Sequence, residues 1–200
     1  MGARIAIVGT GAVGGYVGAH MAQAGEDVIL VDFWPEHVER IRATGLRISH
    51  LRDVREFTIA ARAMHVTELQ GLSRERPIDI AFVSTKSYDT AWATMMIRQY
   101  LAPGGFVVSL QNCINEETIA GIVGWGRTLG AIASSITVEL CEPGHVRRAG
   151  GKHGAGSNAP TASPPIPAPM TAKLGLALTG NSPINNFLAL PPQRCSRTRK

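Results

Sequence analysis

The stretch IAIVGTGAVGGYVG, residues 5–18, constrains this chain more than any other. An apolar run, Ile5–Val8, leads directly into Gly9-Thr10-Gly11-Ala12-Val13-Gly14, with Gly18 one helical turn further on. The pattern is that of a strand, a tight turn and the start of a helix. The glycine spacing has a physical reason. Gly9 permits the turn, Gly11 lets the backbone approach a pyrophosphate, and Gly14 lets the helix pack closely on the strand. The helix N-terminus is then aimed at the phosphates, so Gly9, Thr10, Gly11, Ala12, Val13 and Gly14 form the predicted cradle.

A lone G-x-G-x-x-G is weak evidence, but here a second strand, Asp27–Val31, ends at Asp32, 18 residues beyond Gly14. A carboxylate there accepts hydrogen bonds from a ribose 2′-hydroxyl and repels a 2′-phosphate, which favours NADH over NADPH. Arg40 and Arg42 follow on a helix that Pro35 starts and Gly45 stops, and they read as a solvated face.

Strand and helix patterns alternate through the first 140 residues, the sequence form of a mostly parallel α/β sheet with helical crossovers. Leu46–Ser49 and Glu56–Ala61 read as a hairpin or edge, Asp79–Ser84 and Phe106–Leu110 as buried strands. Helices are expected over about 90–100 and 116–123. Open α/β sheets place ligands at the carboxyl ends of their strands. Lys86, in VSTKSY, stands at such an end and could hold a substrate carboxylate or ketone oxygen, or be a surface lysine. Asn112, in SLQN, could bond a cofactor amide or ribose, or simply end its strand in a turn.

Charge divides the chain. Residues 1–142 hold 12 Lys/Arg against 15 Asp/Glu, net −3, whereas residues 143–200 hold 8 Lys/Arg and no acid, net +8. The basicity therefore belongs to the tail, without interleaved aromatics, and specific nucleic-acid binding is not expected. Residues 150–171 form a Gly/Pro/Ala/Ser tract with no periodicity, so 150–200 is expected to be a disordered basic tail beside a domain at 1–149. No apolar run reaches the roughly 20 residues of a membrane helix, and the N-terminus lacks a signal-peptide pattern, so no membrane association and a cytoplasmic location are expected. Cys113, Cys141 and Cys195 make no C-x-x-C, and the six histidines show no metal spacing, so neither a disulfide framework nor a metal site is indicated.

Taken together, IAIVGTGAVGGYVG, VSTKSYDT, SLQNC with NEETI, and ELCEPGHVRR resemble the N-terminal domain of the ketopantoate reductase family, 2-dehydropantoate 2-reductases, over about residues 3–150. The resemblance implies a Rossmann-type, doubly wound sheet followed by a helical domain, and NADPH-dependent reduction of ketopantoate or a related small-molecule 2-oxo acid on the route to pantothenate. It places Gly9, Gly11 and Gly14 on the pyrophosphate, and Lys86 and Asn112 near nicotinamide and substrate. Cys113 stands where the family usually has glycine, and Asp32 stands where NADPH-using members tend to carry a basic residue close by. The helical domain, which in the family supplies a catalytic lysine with its partners, has no counterpart after residue 150. The composition shift resembles translation in another reading frame, so a truncated member is expected.

Three functions remain open on the sequence: a 2-oxo acid reductase using NADH or NADPH, a dinucleotide-binding remnant without turnover, and another Rossmann hydroxyacid or opine dehydrogenase. A homo-oligomer is compatible with each.

Overall fold

A computed structural model describes residues 2–51, 56–133, 136–149 and the backbone of 187–190. Strand β1 (Arg4–Val8) is buried along its whole length, as a parallel strand covered on both faces must be. Its alternation serves two cores. Ile5 and Ile7 face one, and Ala6 and Val8 the other. Helix α1 (Ala12–Gln23) returns the chain to β2 (Asp27–Asp32), which pairs with β1 in parallel, Ile5 opposite Val28. Helix α2 (Pro35–Thr44), with Pro35 in its first turn, comes next and ends at Gly45.

Four further parallel crossovers build the main sheet. Strand β5 (Arg62–His65) pairs with β2, and β6 (Ile78–Val83) with the other side of β1. Helix α3 (Thr90–Ile97) leads to β7 (Leu101–Ser109), and α4 (Glu116–Val123) to β8 (Thr128–Ala133). The order β5-β2-β1-β6-β7-β8 is the strand order 3-2-1-4-5-6 of the dinucleotide-binding fold. The expected α/β, mostly parallel doubly wound sheet is therefore the observed one.

A second, four-stranded sheet lies against α1. It joins β3 (Leu46–His50), β4 (Phe57–Ile59), β9 (Val138–Glu142) and β10 (His145–Arg148) in the order β4-β3-β10-β9. The hairpin expected at 46–61 is half of this sheet, and β10 pairs with β3 in parallel across nearly a hundred residues. Sequence periodicity does not reveal such a pairing. Helix α1 is consequently sandwiched, which is why Gly14 through Met21 are all buried and the helix has little polar face.

One boundary differs from the sequence reading. Strand β7 begins at Leu101 rather than at Phe106: pairing with β6 runs from Ile78/Leu101 to Ile80/Phe106, so the residues between, Pro103-Gly104-Gly105 among them, bulge out of the ladder. Phe187–Leu190 forms a strand, β11, antiparallel to β8 at the edge of the main sheet. These four residues lie within the stretch 150–200 that was expected to be a disordered tail, and the rest of that stretch lies outside the described residues. No helix among the described residues is long and apolar enough to cross a membrane.

Candidate functional site

The chain passes from β1 to β2 and β5 on one side and to β6 on the other, so a crevice opens at the carboxyl ends of β1 and β6. Ladder-like bonds continue past the strands and fix the loops there: Gly9 N–H donates to Val31 O, Ser84 N–H to Val8 O and Leu110 N–H to Val83 O, each at 2.8 Å. These loops surround a cavity of about 370 Å³. Gly9, Gly11, Ala12, Val13, Asp32, Lys86 and Asn112 all line it, whereas Thr10 and Gly14 stand behind its wall.

The glycines divide their labour by contact. Gly9 has φ +91°, and a Cβ there would meet the Thr85 amide nitrogen at 2.8 Å. A Cβ on Gly14 would meet the Gly9 carbonyl oxygen at 2.1 Å, so the helix can approach the turn only without a side chain. Gly11 differs: nothing lies within 4 Å of its Cβ position, which faces open space. The first amides of α1 have no side-chain cap and no acid in the first turn, which leaves donors at the cavity wall. The Ser84 hydroxyl, buried at the end of β6, has no hydrogen-bond partner among the described residues. Free amides, an unfilled position at Gly11 and an unused hydroxyl fit a phosphate-bearing ligand.

Asp32 is 7% exposed and already engaged. Its Oδ2 accepts from the Thr10 amide at 2.7 Å and the Thr10 hydroxyl at 2.9 Å, and its Oδ1 accepts from the Trp34 amide at 2.9 Å. The carboxylate thus braces the glycine turn, and Oδ1, with one bond accepted, keeps capacity for one more. Arg42 is not a free solvated side chain. Its Nε donates to Ala63 O at 3.0 Å, and its guanidinium pairs with Glu39 and Glu68.

Lys86 is exposed and begins a short 3₁₀ turn, Ser87–Asp89. Asn112 is exposed too, and its carbonyl accepts from Ser87 Oγ at 3.1 Å and Asn115 Nδ2 at 2.8 Å. Lys86 and Asn112 therefore stand on neighbouring loops at the carboxyl ends of the strands. Gln111 clamps the loop after β7 to the loop after β6, its Nε2 donating to Thr85 O and Thr90 Oγ1, each at 2.9 Å. Gln111, Ser84 and His37 line the cavity without having been singled out from the sequence. Ser84 and Gln111 carried a signal there, their places at and just past a strand end, and His37 carried none.

The family model described as "Ketopantoate reductase PanE/ApbA" matches residues 5–156. The chain belongs to the ketopantoate reductase family. It is 35% identical over 133 residues to a 2-dehydropantoate 2-reductase of Pyrococcus abyssi, covering 66% of this chain and 40% of that protein. A solved PanE/ApbA family ketopantoate reductase from Ralstonia eutropha JMP134 superposes with a TM-score of 0.65 at 30% identity, over 87% of this chain and 54% of that one. The ternary structure of D-mandelate dehydrogenase with NADH and anilino(oxo)acetate gives 0.64 at 27% identity, over 74% and 45%. The chain spans about two-fifths of the length of the curated relatives it matches.

Proposed function

We propose that this chain carries the cofactor-binding half of a nicotinamide-dependent reductase of 2-oxo acids of the ketopantoate type, with residues 1–149 as its dinucleotide-binding domain. The observation that carries the reading is the convergence of Gly11, Asp32, Lys86 and Asn112 on one cavity at the strands' carboxyl ends. The dinucleotide, when bound, supplies the hydride. The chain's own part is binding and orientation. The uncapped amides after Gly11 receive the pyrophosphate, Asp32 offers its remaining lone pair to a ribose hydroxyl, and Asn112 holds the ribose or carboxamide. Lys86 puts a positive charge at the rim, where the carboxylate or ketone oxygen of the substrate would lie.

NADH is the cofactor we favour. A 2′-phosphate beside the Asp32 carboxylate would meet like charge, and the Arg42 guanidinium is occupied by Glu39 and Glu68. The similar D-mandelate dehydrogenase was solved with NADH, whereas the resemblance to NADPH-using reductases argues the other way. Titration of the full chain with each dinucleotide, followed by tryptophan fluorescence because Trp34 lines the cavity, decides between them. NADH should bind the tighter; a clear preference for NADPH overturns that assignment. Adding ketopantoate should then oxidise NADH. Binding without oxidation would make the chain a dinucleotide-binding module, and no binding of either dinucleotide would remove the proposal.

A further inference from the structure

Resting on that reading, we propose that His37 is a positioning residue of the phosphate cradle: it holds the Thr10 carbonyl and ties the glycine turn to the bend between β9 and β10. His37 lies on α2 and is fully buried, 0% exposed. The Gly144 amide donates to its Nδ1 at 3.0 Å. A ring nitrogen that accepts carries no proton, so the proton of the neutral imidazole is on Nε2, and Nε2 donates to Thr10 O at 3.0 Å. Burial pushes the ring's pKa below its ordinary value, with Asp32 pulling the other way, and the neutral form suits both bonds.

Thr10 is thereby held at every polar atom. Its amide and hydroxyl are fixed by Asp32, and its carbonyl by His37. The Trp34 ring lies nearly parallel to the imidazole, 5.8 Å between centroids at 13°, and its amide holds the other oxygen of Asp32. On the far side, a Cβ on Gly144 would meet Arg40 Cγ at 2.4 Å, so the bend is in close contact with α2 and the Gly144 amide is held against the imidazole.

The link to ligand binding is the peptide plane. The Thr10 carbonyl and the Gly11 N–H belong to one trans peptide unit and point in opposite directions. A bond that fixes the carbonyl on the buried side therefore sets the direction of the Gly11 amide at the cavity wall. The second sheet, through Gly144, contributes to that setting although none of its strands carries the glycine motif.

Two substitutions separate this role from mere packing. His37→Gln puts an amide nitrogen near the place of Nε2 and can restore the bond to Thr10. His37→Asn puts an oxygen near the place of Nδ1, keeps the Gly144 bond and drops Thr10. NADH affinity of the full chain should stay within about threefold of the parent for His37→Gln and fall about tenfold for His37→Asn, the effect of one lost hydrogen bond, at similar melting temperatures. Equal losses in the two variants, or the reverse order, overturn the proposal. Nitrogen NMR of the unsubstituted chain needs no variant to fold: the His37 signals should report a proton on Nε2 and should shift when NADH is added, and an unshifted signal with NADH bound overturns the proposal too. A parent chain that binds no dinucleotide removes the reading on which the inference rests, and the inference with it.

Discussion

At Cys113 the backbone takes φ +70°, the only positive φ outside glycine among the described residues. A Cβ in the left-handed region crowds the following carbonyl and costs roughly 1–2 kcal/mol, partly offset in glycine by the greater freedom of its unfolded chain. The Cys113 side chain is exposed and repays little of that. Cys113→Gly should therefore raise unfolding stability by about 0.5–1 kcal/mol, read as a shift in the urea midpoint at constant slope. An unchanged or lowered midpoint would show that the thiol makes a compensating contact. The residue scale is also where the sequence is least explicit. The spacing after Gly14 singles out Asp32, yet two of its three hydrogen bonds go to Thr10, inside the motif that it was expected to serve from outside. His37 gives no sequence signal at all, because the partner that fixes its tautomer lies 107 residues away.

Helix α1 shows how one element can answer to two layers and a ligand at once. On its sheet side, a Cβ at Gly18 would meet Leu30 Cδ2 at 2.6 Å, and on its other side a Cβ at Gly15 would meet Val146 Cγ2 at 3.2 Å. Of the motif glycines, Gly14 is pressed on backbone and Gly11 on nothing, so the same substitution should have opposite consequences. Gly14→Ala should cost about 2 kcal/mol or more, since the Gly9 carbonyl cannot rotate away as a side chain could. Gly11→Ala, at φ −61°, should leave stability within about 0.5 kcal/mol while weakening NADH binding at least about tenfold, because its methyl enters the space a pyrophosphate would occupy. Urea unfolding beside an NADH titration separates the two, and equal effects on stability would sink the argument. At this scale much was legible. Strands β1, β2, β6 and helix α2 are written in apolar runs bounded by glycine and proline. Strand β5, with the sequence RAMH, was not legible, since four residues with a charged end carry too little pattern. The second sheet stayed hidden because its central pairing joins distant segments.

The molecule as a whole is polar along its main sheet, with the cavity at the carboxyl ends of the strands and an ion-pair network at the amino ends. Arg4, at the start of β1, is 8% exposed. Its amide donates to Asp79 Oδ2 at 3.0 Å and its guanidinium to Glu75 Oε2 at 2.7 Å. Glu75 also accepts two bonds from Arg62, each at 2.6 Å. The Arg62 bonds, opposed by desolvation and aided by Arg4, hold the Glu75 carboxyl down to about 2 from an ordinary 4.5. A depressed folded-state pKa stabilises above the unfolded value, so this contribution is complete above about pH 4.5 and is lost as the pH falls toward 2. Glu75→Gln leaves a largely buried guanidinium with a weaker partner and should cost about 2 kcal/mol at neutral pH. The deficit relative to the parent should shrink as the pH is lowered through that window, since the parent then loses the same charge. NADH affinity should not change, because the network and the cradle occupy opposite ends of β1 and share no hydrogen bond among those described. A Glu75→Gln chain that keeps its stability, or that loses dinucleotide affinity while folded, would show that the two ends of the sheet are not independent.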